Sequence, residues 1–204
     1  LDPAAVYIDP RVEIGAGTLI LPGTILRGKT TIGRDCEIGP NAMVRDCIVG
    51  KDTTINASQV NESTIGSHTT VGPFTYVRPN CRIGDHCRVG DFVEVKNSVI
   101  GDGTKISHLT YVGDSDVGQR VNFGCGTVTT NYDGHKKHRC TIGDDVFLGC
   151  NTNLIAPVTV ADRAYTAAGS TVTDDVPEGA LAIARQRQTN IRGWADRLRK
   201  TWKK

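Results

Sequence analysis

The sequence predicts an all-β chain, folded as a parallel β-helix of hexapeptide repeats with a protruding loop and a short C-terminal helical tail. Three observations lead there. Apolar residues recur six apart, a glycine follows them again and again, and rings are scarce: aromatics are 5% of the 204 residues while Gly numbers 23. A core must then be built from Ile, Val, Leu and small side chains. A period of six fits no helix, but it suits short strands with alternate residues pointing inward and a turn after each.

The elements follow in chain order. The first run of inward positions is Ile8, Ile14, Ile20, Leu26, Ile32, Ile38 and Val44. A second runs Ile65, Val71, Val77, Ile83, Val89 and Val95, and the register slips by one near Val49, Ile100 and Val117. It resumes through Ile142, Leu148, Leu154, Val160, Thr166 and Val172. Three hexads, about 18 residues, make one coil, and coils stack about 4.8 Å apart, so roughly ten coils give a rod near 48 Å long. The repeat domain is expected over 1–184. A polar excursion leaves it at about 130–141, inside the stretch TTNYDGHKKHRCTIG. The basic tail 185–204 closes the chain. There Ile191, Trp194, Leu198 and Trp202 recur at helical spacing after Asn190, a candidate cap, with Gly193 opposing the helix.

Charge and cysteine usage bound the function. The formal charge of +2 hides a tail with 8 Lys and Arg against one acidic residue, on a body with 16 against 21. An acidic body repels a phosphate backbone, so nucleic acid is not an expected partner. No window approaches the roughly 18 apolar residues of a membrane span, and no signal segment opens the chain. A soluble, cytoplasmic protein is expected. Opening on Leu1 rather than methionine, it is expected to be part of a longer chain. The seven cysteines show no CxxC pattern. Cys36, Cys47, Cys81, Cys87 and Cys140 each lie two before an inward residue and are expected to be buried, whereas Cys125 and Cys150 lie two after one.

Alternation puts Arg78, Glu94 and Lys96 outside, with Arg78 and Lys96 18 apart, one coil. Stacked cations repel each other unless they splay into solvent, pair with Glu94 or hold an anion such as phosphate. His108 and Tyr111 follow after Ile106, in what reads as the same region; a histidine there has the pKa range of a general base. A second column is small: Cys125, Cys150 and Ala168 form a ladder that is either a set of tight corners or the bed of a thin, extended ligand, with Arg185 beyond its end. The excursion carries Asn131, Tyr132, His135, Lys136, Lys137, His138 and Arg139. Loops on rigid scaffolds reach ligands or neighbouring chains.

The segments GPFTYVRP, GDFVEVKNSVIG, SHLTYVGDSDVG, GTVTTNYDG, APVTV, AAGSTVT and ALAIAR, in this order, carry a specific resemblance. Over nearly its whole length the chain resembles the acetyltransferase domain of the bacterial bifunctional glucosamine-1-phosphate acetyltransferase / N-acetylglucosamine-1-phosphate uridyltransferase. The resemblance implies a left-handed β-helix, an exception to the usual right-handed crossover. It implies acetyl transfer from acetyl-CoA to glucosamine-1-phosphate, toward UDP-N-acetylglucosamine and cell-envelope synthesis, by a homotrimer with active sites between subunits. His108 would be the general base. Arg78, Lys96, Tyr111 and Lys137 would hold the sugar phosphate; Asn122, Asn131 and Tyr132 would surround the sugar and acetyl group; and Glu94 would orient the amine or the base. Cys125, Cys150 and Ala168 would form the acetyl-CoA wall, and Arg185 would meet the cofactor's phosphates. Asn131 or a backbone N–H would stabilise the oxyanion, a role often worth about 3 kcal/mol.

Two departures stand out. Some members carry Ser where this chain has Cys150, and a thiol is the weaker donor to a leaving thiolate. Nothing resembles the uridyltransferase domain: GAGT at 15–18 is a hexad turn, no metal is needed for acetyl transfer, and magnesium belongs to the absent half. Three rival readings remain: an acetyltransferase for another amino sugar or small acceptor, a zinc enzyme using His68 and His86, which are 18 apart, and a purely structural rod.

Overall fold

The computed structural model describes residues 2–202; Leu1 and the last two cations of the basic tail, Lys203 and Lys204, lie outside the described residues. After a 3-10 turn at Pro3–Ala5, short strands assemble into three parallel sheets of 10, 9 and 10 strands. Every third strand up to Thr171–Val172 joins the same sheet, and Leu181–Ala182 closes the third sheet on Tyr165–Thr166, so the chain winds round a three-sided prism of about ten turns, the architecture expected of a left-handed β-helix.

Register explains why the hexads read so clearly. Leu26, Val44, Val60, Val77, Val95 and Val112 stack as one inward column in the first sheet. Ile32, Val49, Ile65, Ile83, Ile100 and Val117 do so in the second. Ile38, Ile55, Val71, Val89, Ile106, Phe123 and Leu148 do so in the third. All of these are buried. Where an inward position is polar it is satisfied internally: Thr129 Oγ1 accepts from Gly113 N at 2.7 Å. Among the described residues, no buried side-chain nitrogen or oxygen lacks a partner.

Corners require left-handed backbone, which is why Gly, Asn and Asp crowd the turns. Bulkier residues adopt it at a few edges, among them Phe74 at φ 58°, Phe92 at 55° and Leu109 at 43°. The five cysteines expected inside are buried, Cys125 is half-buried and Cys150 exposed. Burial pushes the Cys47 and Cys140 thiols up to about 11.

The tail differs from expectation. Its helix is Trp194–Trp202, beginning after Gly193 at φ 67°. Asn190 does not cap it, since its side chain instead accepts from Gln188 Nε2 at 2.8 Å. No residue of the helix is buried, and Ile191, Trp194 and Trp202 are all exposed.

Candidate functional site

The polar excursion is a compact turn. It leaves the first sheet after Val128–Thr130 and rejoins the second at Cys140–Ile142, with an antiparallel bridge between Tyr132 and Lys137. Asp133 stiffens it by accepting from the backbone N–H of His135 and Lys136 and pairing with His138 Nε2 at 2.7 Å. Tyr132 Oη donates to the Gly134 carbonyl. Arg139 fastens the return to the rod through both oxygens of Asp116 and the carbonyls of Asn97 and Ser115. Such a fork is what a planar guanidinium does best.

The turn roofs a cavity of about 560 Å³ along the edge between the first and second sheets, where Arg78, Lys96, Lys137 and Arg139 converge. Arg78 pairs with Glu94 at 2.9 Å and Lys96 with Asp114 at 3.1 Å. Glu94 is thus the carboxylate partner of Arg78, on the face between the two edges. The ammoniums of Lys96 and Lys137 face each other, and this contact with Lys96 holds Lys137 below the usual lysine range. Lys96 is raised: with the neighbouring Lys137 pushed toward its neutral form, Lys96 keeps the charge, and Asp114 stabilises it. Three nearby cations each have a carboxylate partner; Lys137 is the one facing another cation. An added anion would relieve that repulsion.

Asp114 is a functional residue that sequence reasoning missed. It is buried beneath the cavity and accepts from Lys96 Nζ, from Asn97 Nδ2 at 2.5 Å and from Asn131 Nδ2. Burial pushes its carboxyl up, but those three hydrogen bonds outweigh it and hold the group low. Asn131, itself buried, also lies 3.4 Å from Tyr111 Oη. Its amide therefore links Asp114 to the face that carries Tyr111.

His108 is not in the Arg78–Lys96 column. It ends the third-sheet strand Lys105–His108, at the opposite edge of the first sheet. Its register partner is Asp91, also missed from sequence, whose Oδ1 lies 2.8 Å from His108 Nδ1. The small ladder continues this line. Extending the pairing of Ile106 with Phe123, Phe123 with Leu148 and Leu148 with Thr166 by two residues stacks His108, Cys125, Cys150 and Ala168. Backbone bonds from Asn151 N to Cys125 O and from Gly169 N to Cys150 O hold these steps. The Arg185 Cδ lies 3.7 Å from where a Cβ of Gly169 would stand, so Arg185 covers the ladder's far end. Asn122 projects from the same sheet, in register with Lys105 and Phe147.

One narrow face of the rod thus separates two edges, with the histidine line on one and the cationic cavity on the other. Glu94 and Tyr111 are register partners on the intervening face. A three-residue strand spans about 7 Å, the scale of a small phosphorylated sugar. Away from the site, His68 and His86 stack with ring centroids 4.8 Å apart and Asp52 3.7 Å from His68. Among the described residues, no three His, Cys, Asp or Glu side chains cluster to hold a metal ion.

The model of the bacterial transferase hexapeptide family (six repeats) matches residues 11–46, 62–97 and 139–174. The bifunctional protein GlmU of Caldanaerobacter subterraneus subsp. tengcongensis is 56% identical over 196 residues, covering 96% of this chain and 43% of that protein. GlmU of Geobacillus sp. is also 56% identical, over 97% of this chain and 43% of its own length. The chain therefore spans less than half of these relatives. Among solved structures, an Arabidopsis UDP-N-acetylglucosamine acyltransferase aligns with a TM-score of 0.54 at 16% identity, over 90% of this chain and 71% of that one, a likeness of fold alone.

Proposed function

The chain belongs to the bacterial transferase hexapeptide family, and from that membership and the GlmU likeness we propose that it transfers the acetyl group of acetyl-CoA to the amine of glucosamine-1-phosphate. The observation that carries the reading is the juxtaposition of the line His108, Cys125, Cys150 and Ala168 with the cationic cavity across one face. The alternative acceptor, another amino sugar without a phosphate, leaves the convergence of Lys96 and Lys137 without a purpose.

In this reading the sugar phosphate enters the cavity and accepts from Arg78, Lys96 and Lys137. The ring lies over Glu94 and Tyr111, with its amine toward His108. The thioester lies along the small ladder, where side chains no larger than a thiol leave room for an extended chain, and Arg185 meets cofactor phosphate. Asn122 flanks the approach to His108. Tyr132, exposed at the head of the excursion, is assigned with Asn131 to the surroundings of the sugar and acetyl group by the family likeness.

An amine with pKa near 8 is mostly protonated at neutral pH, and its free-base fraction attacks. His108 Nε2 removes the proton released as the N–C bond forms. The carbonyl carbon becomes tetrahedral, and its oxyanion takes a hydrogen bond from the Asn131 amide or a backbone N–H. The C–S bond then breaks and His108 returns the proton to the thiolate sulfur. Cys150 is an exposed thiol on the ladder and at most a weak donor to that sulfur.

A homotrimer with sites between subunits belongs to the same proposal. Phe74, Phe92 and Leu109, exposed along the edge beside His108, support it. Work in the cytoplasm is part of the same proposal, drawn from the GlmU likeness; no described helix is long and apolar enough to cross a membrane. Magnesium serves only the uridyltransferase half, so EDTA leaves acetyl transfer unchanged.

The test is mass detection of N-acetylglucosamine-1-phosphate from acetyl-CoA and glucosamine-1-phosphate, beside His108→Ala and Lys96→Ala. Product that vanishes with His108→Ala, and a raised KM for sugar phosphate with Lys96→Ala, are expected. Acetylation of unphosphorylated glucosamine at the same efficiency would overturn the reading.

A further inference from the structure

The Asp91–His108 pair is built by the fold itself. The two residues are register partners on adjacent coils, in the strands Arg88–Asp91 and Lys105–His108. Backbone pairing therefore sets their separation, and the Oδ1 to Nδ1 distance is 2.8 Å. Two local features keep the coils in this relation. A Cβ on Gly90 would lie 2.0 Å from the Ser107 carbonyl oxygen, so only glycine permits the close stacking just before the pair. Thr110 Oγ1 donates to the His108 carbonyl at 2.7 Å and pins the corner that follows.

The chemistry of this contact is restrictive. An ionised carboxylate only accepts hydrogen bonds, so Nδ1 must carry the hydrogen. The hydrogen bond from His108, with help from the charge of Arg88, holds the Asp91 carboxyl below its usual range, which keeps it ionised. In the neutral ring the free lone pair then belongs to Nε2, on the side turned away from Asp91. Left alone, the ring would distribute its hydrogen between both nitrogens and turn freely about its χ angles, since its side chain is 53% exposed.

We propose that Asp91 is a positioning residue for His108, fixing the ring so that Nε2 presents its lone pair to the acceptor amine; this rests on His108 being the base of the acetyl transfer proposed above. During turnover the proton passes from the amine nitrogen to Nε2 and then to the departing sulfur. The N–C bond forms, the C–S bond breaks, and Asp91 keeps its charge throughout. Its carboxylate faces the imidazolium while that ion exists, and with Lys105 and Arg88 the cations in register on the same sheet, it is the anion in contact with the ring.

The experiment combines histidine NMR with kinetics on the intact chain. Long-range ¹H–¹⁵N spectra of ¹⁵N-histidine-labelled protein, with His108 assigned by loss of its signals in His108→Gln, report which ring nitrogen carries hydrogen. The expected wild-type pattern is hydrogen on Nδ1, and in Asp91→Ala a shift of the population to Nε2–H. In the same variant kcat falls about ten- to a hundredfold, a part of what a positioned base supplies, while KM for both substrates stays within about twofold. Asp91→Glu recovers part of the rate. An Asp91→Ala protein with the wild-type tautomer overturns the inference, whether or not its kcat falls, and so does one with wild-type kcat. Circular dichroism melting checks that the variant is folded, and if Asp91→Ala unfolds, Asp91→Asn replaces it with the same two readouts. The spectra need no turnover: a chain that fails to acetylate glucosamine-1-phosphate sinks the functional reading alone, and the tautomer still decides for or against Asp91 as the residue that orients the ring.

Discussion

Replacing Asp114 with Asn changes one oxygen to an amide and should destabilise the rod more than any other single charge removal near the cavity. The carboxylate receives three donors, from Lys96, Asn97 and Asn131, and its side chain is only 5% exposed. An Asn side chain offers one oxygen and turns its NH₂ toward at least one of those donors, leaving donor against donor. Losing a charge-assisted hydrogen bond costs about 1.5–3 kcal/mol, and breaking a buried ion pair about 3–5 kcal/mol. Lys96 keeps partial access to water at the cavity, which favours the lower part of these ranges, about 3 kcal/mol. For a chain of this size that lowers Tm by roughly 6–12 °C. The control is Asp116→Asn, which removes an exposed carboxylate from Arg139 and should cost under about 1 kcal/mol.

The same group makes a pH prediction. The folded-state pKa of Asp114 is lowered despite burial, because its hydrogen bonds outweigh desolvation. Its stabilisation is therefore present above the unfolded carboxylate value of about 3.9 and is lost as pH falls below that toward the folded value. Urea unfolding at a series of pH values should show a constant gap between wild type and Asp114→Asn from pH 5 to 8, closing in acid. A gap at pH 7 below about 0.5 kcal/mol, or no larger than that of Asp116→Asn, would refute the account of this network.

Other expectations follow from burial and spacing. A thiol reagent at neutral pH should modify Cys125 and Cys150 in the folded chain and the other five cysteines only after denaturation, with acetyl-CoA slowing the reaction at Cys150; mass spectrometry of the labelled peptides checks both. Lys137→Ala should raise KM for glucosamine-1-phosphate about tenfold with a smaller effect on kcat, because its ammonium is the cavity cation facing Lys96 rather than a carboxylate. Steady-state kinetics checks it, and an unchanged KM would remove Lys137 from the phosphate site. Gly90→Ala should lower stability by more than about 2 kcal/mol, since its Cβ would press on the Ser107 carbonyl 2.0 Å away, and the urea midpoint reads this directly.

The inward columns were legible because a period of six leaves an apolar residue at nearly every inward step, Thr129 and Thr166 being exceptions. The charged groups that organise the site were harder to read. Asp114 has φ 49° and, in sequence, looks like the corner aspartates Asp35, Asp46 and Asp52. A signal was present, since Lys96 and Asp114 stand 18 apart, one coil, as Arg78 and Lys96 do. Asp91 precedes His108 by 17, because the register slips by one near Ile100, and a search at strict coil spacing passes over it. That slip, with the lengthened coil at the excursion, also hid the fact that His108 and the small residues share one line. For Arg78, the plainest of the sequence alternatives held: it pairs with Glu94.

The interruption of the repeat at TTNYDGHKKHR has a geometric reason. On a regular coil each outward residue sits about 4.8 Å above its register neighbour and points the same way. Stacked cations such as Arg78 and Lys96 would then line an anion on one side only. To place a cation opposite them the chain must leave the rod and return, and here the step from Val128 to its partner Asn153 is longer than the usual coil by the length of that turn. The residues of the excursion divide accordingly. Asp133 and His138 clasp it internally, Arg139 ties it to Asp116, and Lys137 is left facing Lys96 across the cavity. Rigidity of the turn matters because two like charges held in opposition keep their repulsion until a ligand enters; a flexible loop would swing Lys137 into solvent. Under the proposed function a dianionic group would relieve that repulsion, and loosening the clasp with Asp133→Ala should raise KM for sugar phosphate even though Asp133 lies outside the cavity lining.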